Sequence, residues 1–215
     1  EEELQKHLAV CKAFGAAAIL GTIDEDKDAG MAKTAERKVA IARRLLRIAV
    51  ESCGLRAWDI FFDPLVLPVS TGQAEDRRNA IETIEGIHRI KQEIPGAFTV
   101  VGLSNVSFGL NPAARHILNS VFLHYCREAG LDAAILHASK IMPLHKIEPK
   151  ERQLAEDVIF DRRRPGYDPL LEFIQSFADK KSTGKKEKEV PRNIEEKLAA
   201  RIVDGDRVGL EEDLA

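Results

Sequence analysis

The sequence predicts an α/β fold in which parallel strands alternate with helices. Four short apolar runs are each followed by a longer stretch with helical periodicity, which is typical of strands joined by helical crossovers. The apolar runs lack a polar face, as do strands that are covered on both sides. Such strands could form an open sheet or half of a barrel. We favour half of a barrel, because parallel strands this apolar need both faces covered and both edges paired. We therefore predict four consecutive βα units of a (β/α)8 TIM-type barrel.

Each predicted strand is a short apolar segment that leads into a polar or glycine-containing loop. The third segment is the clearest, because TVVGL runs directly into the loop SNVSFGLN. The predicted strands are Ala16–Ile23, Asp59–Phe62, Thr99–Leu103 and Ala133–Leu136.

Amphipathic spacing predicts six helices between and after these strands. In the first helix, Leu4, Leu8 and Cys11 recur at helical intervals and share one face. Pro112 stands at the first turn of another, where its missing N–H costs nothing. The predicted helices are Glu1–Phe14, Met31–Ser52, Glu75–Glu93, Pro112–Ala129, Pro149–Asp161 and Tyr167–Asp179.

The composition changes after residue 179. The segment KKSTGKKEKEVPR is charged and has no apolar run, so we predict a flexible linker over 180–192. Residues 193–215 are strongly charged, with Ile194, Leu198 and Ile202 spaced for one buried helical face. The predicted organisation is a partial barrel over 1–179, the linker, and a short helical segment. The chain starts and ends within predicted helices, so we expect it to be a piece of a larger protein.

The overall composition argues against several classes of partner. The net charge of −3 gives no reason to expect nucleic acid. No apolar run approaches the roughly 20 residues that span a bilayer, so we expect no membrane partner. The three cysteines, Cys11, Cys53 and Cys126, are widely spaced. We therefore expect a reduced, cytoplasmic protein without a metal site of its own.

Polar side chains follow two of the predicted strands at their carboxyl ends. Asp63 comes directly after DIFF, and Asn105 follows the strand at Thr99–Leu103. Ligands of α/β proteins bind at the carboxyl ends of parallel strands, so both residues are candidates for a binding site. Each could instead form a local turn through its side chain, and the pattern alone leaves that alternative open.

Several motifs resemble one known family. They are FDP at 62–64, PVSTG at 68–72, GLSNVSFG at 102–109 and ILHASKIMPLHKI at 135–147. Together they resemble the methyltetrahydrofolate-binding barrel of the cobalamin-dependent methionine synthases. The similarity spans about 1–164 and resumes at 202–214, where IVDGDRVGLEEDL is similar to the start of the helical cobalamin cap. The resemblance implies the last four βα units of that barrel, the linker, and the beginning of the cap domain.

The resemblance also implies roles for individual residues. Asp63 would accept two hydrogen bonds from the pterin ring. Asn105 would be the catalytic residue beside N5, where it stabilises the protonated form without supplying the proton. Arg115 would reach the pterin, although a solvated arginine at a helix start is the alternative. The candidates for supporting positions around the ligand are Asp24, Ser107 and His137.

The implied activity is methyl transfer from 5-methyltetrahydrofolate to protein-bound cob(I)alamin, as part of methionine synthesis from homocysteine. Cobalamin would be held by a module of the same full-length protein that is mostly absent from this chain. Zinc would belong only to a missing homocysteine domain. The chain carries neither a D-x-H-x-x-G loop nor a cysteine cluster, so we predict no metal ligand here.

Three other interpretations remain open. A methyltetrahydrofolate:corrinoid protein methyltransferase would use the same barrel alone, without the tail over 180–215. A dihydropteroate synthase would need a basic motif after the fourth strand, where Lys140 stands without a Ser-Arg partner. The third interpretation is a truncated fragment without independent activity.

Overall fold

The computed structural model describes residues 2–24 and 30–178, together with Ile194, Glu195 and Leu198. The chain divides into two compact units, Glu1–Lys180 and Lys181–Ala215. Within the second unit the three described residues are helical. The linker predicted over 180–192 lies outside the described residues, as does most of the predicted cap segment, so both stay predictions.

The first unit contains a parallel sheet whose four strands follow one another in sequence order. The strands are β1 (Ala18–Gly21), β2 (Ile60–Asp63), β3 (Phe98–Gly102) and β4 (Ala133–Ile135). Every pair of neighbours is parallel, which confirms the predicted fold class. The first strand is shorter than the predicted span: it begins at Ala18 and ends at Gly21, and Ile23 pairs with Met31 in an isolated antiparallel bridge.

Six α-helices accompany the sheet among the residues described in the first unit. They are α1 (Glu2–Phe14), α2 (Ala35–Arg47), α3 (Asn79–Glu93), α4 (Pro112–Glu128), α5 (Pro149–Ile159) and α6 (Pro169–Phe177). α2 begins later than predicted because Thr34 caps it, with its hydroxyl accepting the N–H of Arg37 at 3.2 Å. It continues into a π-helical turn, Ile48–Ser52. None of the described helices is both long and apolar enough to cross a membrane.

One face of the sheet forms the core with the helices. Leu20, Ile60, Phe62 and Val101 point to this face and are almost completely buried. They pack against apolar side chains of the surrounding helices, such as Ile90 of α3. This burial supplies the main stabilisation of the unit, at about 25 cal/mol for each Å² of apolar surface removed from water.

The opposite face of the sheet is apolar but open. Ile19 on β1 and Ile135 on β4 are 60% and 66% exposed. Between them the rings of Phe61 and Phe98 stack with their centroids 5.0 Å apart. Parallel sheets are normally covered on both faces, and the outer edges of β1 and β4 pair with no further described strand. These features are consistent with a partial (β/α)8 barrel, in which this face would line the interior.

Candidate functional site

The two polar residues singled out at the strand ends lie on neighbouring strands. Asp63 is the last residue of β2. β3 ends at Gly102, and the 3₁₀ turn Leu103–Ser107 that follows contains Asn105. Because β2 and β3 pair directly in parallel, both side chains belong to the same carboxyl edge of the sheet. This edge is where ligands of α/β folds bind.

The side chain of Asn105 lies against the end of its own strand. A Cβ atom at Gly102 would be only 3.4 Å from Asn105 Nδ2, so the missing side chain of the glycine gives the amide its place. Asn105 is exposed, and its amide makes no hydrogen bond to any residue that the structure describes. The turn-forming role considered for this residue is therefore not observed, and the amide is available to a ligand.

Asp63, in contrast, does form a local turn. Its Oδ1 atom accepts the N–H of Leu65 at 2.9 Å, which is the geometry of an Asx turn. The backbone carbonyl of Asp63 accepts the N–H of Thr22 at 2.9 Å. A carboxylate has about four lone-pair positions, so one hydrogen bond leaves room for a bidentate partner. The turn and the ligand role are compatible, and the turn fixes the direction of the carboxylate.

The loop after Asp63 is held in an unusual conformation by two helices. Leu65 has φ +56°, a left-handed conformation that costs a leucine roughly 1–2 kcal/mol. Lys38 of α2 compensates, because its Nζ atom donates to the carbonyl oxygen of Leu65 at 3.0 Å and also to that of Pro64. The hydroxyl of Thr83 in α3 lies 3.3 Å from the same Leu65 oxygen.

Lys38 is a residue of the candidate site that the sequence analysis did not single out. Its side chain is 1% exposed, although lysine is almost never fully buried without partners. A signal was present, since Lys38 shares a helix face with Ala35 and Ala42, which are both buried. Gly86 of α3 makes room for it, because a Cβ atom there would be 3.0 Å from Lys38 Cδ.

Burial perturbs the protonation of both charged groups at this loop. Burial raises the pKa of Asp63, against the opposing effects of the Leu65 N–H and of Lys38. Burial lowers the pKa of Lys38 to about 8, while Asp63 and Glu82 act to raise it. The carboxylate at the strand tip is thus partly desolvated, which strengthens its hydrogen bonds to a ligand.

Arg115 is anchored to the turn that carries Asn105. Its Nε atom donates to Ser107 Oγ at 3.1 Å, and one terminal nitrogen donates to the carbonyl oxygen of Ser104 at 3.0 Å. Ser107 is fully buried, and its hydroxyl donates to Asn119 Oδ1 at 2.8 Å. Arg115 is therefore not a freely solvated arginine, and Ser107 supports both the turn and the guanidinium.

The two remaining candidates lie in different surroundings. The Asp24 carboxylate is 3% exposed and makes two hydrogen bonds of 2.6 Å to Arg37, so it joins the end of β1 to α2. His137 follows β4 and is exposed, with its Nδ1 atom 3.0 Å from Ser139 Oγ. It lines a pocket of about 300 Å³ that also contains Ser104 and Arg115. Neither Asp63 nor Asp24 lines this pocket.

The described residues do not form a metal site. No group of three or more His, Cys, Asp or Glu side chains in this part of the chain could hold a metal ion. The three cysteines are free thiols, and burial raises the pKa of Cys126 above its usual range. The site therefore offers hydrogen bonds and charge to a ligand, and no nucleophilic thiolate.

Comparison with known proteins agrees with this geometry. The family described as pterin binding enzyme matches residues 1–137. The chain belongs to the pterin-binding enzyme family. Over 218 aligned residues, it is 47% identical to the methionine synthase of Mycobacterium tuberculosis and 45% identical to that of Mycobacterium leprae. In both cases the match covers the whole chain and 18% of the relative. The matched residues include all four strands of the sheet, together with Asp63 and Asn105.

Proposed function

We propose that this chain is the part of a methionine synthase that binds 5-methyltetrahydrofolate and prepares its methyl group for transfer. The proposal rests on two polar groups at the ends of adjacent strands of a pterin-binding domain: the Asp63 carboxylate, fixed by its turn, and the amide of Asn105. The chain spans about 18% of the length of its methionine synthase relatives. The activity of the whole enzyme is therefore also part of the proposal.

The proposed role of Asp63 is to anchor the pterin. Its carboxylate would accept hydrogen bonds from the ring N–H and the exocyclic amino group, which lie side by side on the pyrimidine edge. The Asx turn to Leu65 and the lysine beneath the loop keep the carboxylate fixed before the ligand arrives. Less conformational freedom is then lost on binding, which favours affinity.

The proposed role of Asn105 is to assist departure of the methyl group. A tertiary amine is a poor leaving group, so N5 must be protonated before the methyl leaves. The amide oxygen of Asn105 can accept a hydrogen bond from protonated N5 and stabilise it. An amide cannot supply that proton, so the general acid lies elsewhere. Arg115 would hold the turn and contact the ring.

Cobalamin would be held by another part of the full-length protein. The chain has no D-x-H-x-x-G loop to ligate cobalt, and the described residues form no metal-binding group. We propose that another module of the same cytoplasmic protein carries the corrinoid, which supplies the nucleophile when bound. Homocysteine and its zinc would likewise belong to a domain outside this chain. The task of this chain is to bind, orient and activate the folate.

Binding of 5-methyltetrahydrofolate tests the proposal. We would measure its equilibrium affinity for the 215-residue chain and for the Asp63→Ala and Asn105→Ala variants. Asp59→Ala is the matched control. Asp59 lies directly before the amino end of β2, whereas Asp63 lies at its carboxyl end, and Asp59 pairs with Arg56 on the surface. We expect saturable binding that both site variants lose and the control keeps.

Two results would contradict the proposal. Unchanged binding by the Asp63 and Asn105 variants would exclude this site. A chain that folds but does not bind would be retested after extension to the length of its relatives, because the missing strands of a barrel also contact the ligand. Absence of binding by the extended protein would exclude the function.

A further inference from the structure

A second group of polar residues surrounds the pocket next to the Asn105 turn. The pocket lies between α4 and the loop after β4 and has a volume of about 300 Å³. Four basic side chains line it: Arg115 and His116 from α4, and His137 and Lys140 from the loop. No Asp or Glu of the described residues is in its lining. We call it the basic pocket.

No acid that lines the basic pocket among the described residues neutralises its positive charge. Arg115 donates to a hydroxyl and a carbonyl, Ser107 Oγ and Ser104 O, rather than to a carboxylate. Burial lowers the pKa of His116, and the nearby charges of Lys140, Arg115 and His137 lower it further. Like charges that repel one another in an empty pocket are stabilised when an anion enters.

The position in the fold also suits an anion. The pocket opens at the carboxyl ends of β3 and β4 and faces the N-terminal half of α4, whose backbone N–H groups favour negative charge. By the predicted barrel numbering, these would be the last two strands. Loops after the last two strands of (β/α)8 barrels frequently bind phosphate groups.

We propose that the basic pocket is an anion subsite, which binds a carboxylate or phosphate group of a ligand whose reacting part lies at Asn105. The proposal rests on the proposed function for the identity of that ligand. Two sources offer the required chemistry. Folate carries carboxylates on its glutamyl tail, and a corrinoid with a nucleotide loop carries one phosphate. The basic pocket itself requires only an anionic oxygen group.

The first experiment tests the pocket without any folate. Inorganic phosphate would be titrated into the whole chain at constant ionic strength, while NMR follows the imidazole resonances of His116 and His137. We expect a saturable shift of both. Lys140→Glu should weaken it roughly tenfold, because a favourable charge becomes a repulsive one. Lys146→Glu is the control, since this exposed lysine makes the same charge change outside the pocket.

The second experiment identifies the source of the anion. Affinities would be measured for triglutamyl methyltetrahydrofolate against a methyltetrahydropterin without a tail, and for cobalamin against cobinamide, which lacks the nucleotide. Lys140→Glu should lower the affinity for the anionic probe of one pair and leave the affinity for its anion-free counterpart unchanged. The affected pair identifies the source of the anion. The loss of affinity caused by Lys140→Glu should be smaller at high salt.

The outcomes separate this proposal from the proposed function. Absence of a saturable phosphate shift, or equal weakening by Lys140→Glu and Lys146→Glu, would overturn the anion subsite even if folate binds. An equal loss of affinity for the anionic and the anion-free probes in the second experiment would also overturn the anion subsite. A clear phosphate shift, in a protein that binds no pterin even after extension to the length of its relatives, would keep the subsite and exclude the proposed function.

Discussion

The Nζ atom of Lys38 lies 3.0 Å from the carbonyl oxygen of Leu65, in a place where the lysine side chain is 1% exposed. The contact joins the start of α2 to the loop that follows the candidate ligand-binding carboxylate. It offsets the left-handed conformation of Leu65 and thereby fixes the turn that Asp63 makes with the Leu65 N–H. A buried cation of α2 thus determines the geometry of a polar group at the tip of β2.

We predict that Lys38→Met weakens both the fold and ligand binding. The carbonyl oxygens of Pro64 and Leu65, the first buried and the second part-buried, lose their lysine donor, which should lower the free energy of unfolding by about 2–4 kcal/mol. Pterin affinity should fall roughly tenfold because Asp63 is no longer held. Binding would be measured in a double-mutant cycle with Asp63→Asn, in conditions where all variants are folded.

The cycle separates positioning from general destabilisation. If Lys38 acts through Asp63, Lys38→Met should cause little further loss of affinity in the Asp63→Asn background. Lys33→Met is the control, since Lys33 is half exposed and forms its ion pairs with Glu75 at 3.7 Å and Asp76 at 3.3 Å rather than contacts with the Leu65 loop. Equal losses in both backgrounds would contradict the positioning role.

The same lysine should make stability depend on pH in the alkaline range. The pKa of Lys38 is lowered to about 8 in the folded protein from 10.5. Between these values the unfolded chain binds more protons, so folded-state stability rises with pH. We expect the stability difference between wild type and Lys38→Met to grow by about 1 kcal/mol per pH unit above pH 8. Urea denaturation from pH 7 to 10 measures it, and a difference that stays flat or falls would disprove the prediction.

The sequence was sufficient to predict the sheet, because the signals involved are local. The four apolar runs gave all four strands in order, and each observed strand overlaps its predicted span. Errors arose where a side chain overrides periodicity. Thr34 caps α2, which begins at Ala35, four residues after the predicted start at Met31, and β1 ends at Gly21 before the isolated bridge of Ile23. Neither effect is visible in an apolar pattern.

The site was less predictable, because its contacts join distant segments. Asp63 and Asn105 stand at strand ends and could be singled out. Lys38 lies on a helix face with buried alanines, but that pattern does not identify its partners, which are carbonyl groups of a loop 26 and 27 residues later in the chain. The positive φ of Leu65 also leaves no sequence signal, because leucine is not typical of that conformation. The basic pocket likewise unites α4 with the loop after β4.

A different acid should stabilise the sheet without contributing to binding. Asp132 precedes β4, and its Oδ2 atom accepts the N–H of Thr99 at 2.7 Å and its hydroxyl at 3.0 Å. Thr99 is fully buried, so Asp132→Ala would leave two buried donors without a partner and cost about 2–4 kcal/mol. Asp132→Asn keeps an acceptor oxygen and should cost less. Denaturant midpoints test this order, and equal effects of the two variants would refute it.

The open face of the sheet gives the sharpest test of the barrel. Ile135 is 66% exposed in the first unit, so Ile135→Ser in the 215-residue chain should change the free energy of unfolding by less than about 0.5 kcal/mol. It should also reduce binding of an apolar dye. Val10→Ser on α1 is the control, because Val10 is 57% exposed outside the sheet.

In a protein extended upstream to the length of its relatives, the two substitutions should diverge. Closure of the barrel would bury Ile135 against the added strands, so Ile135→Ser should then cost about 2–4 kcal/mol through lost apolar burial and a buried hydroxyl. Val10→Ser should stay near zero. Denaturant unfolding of both lengths provides the comparison. If Ile135→Ser remained harmless in the longer protein, the face would not be a barrel interior, and the open four-stranded sheet would be the correct architecture.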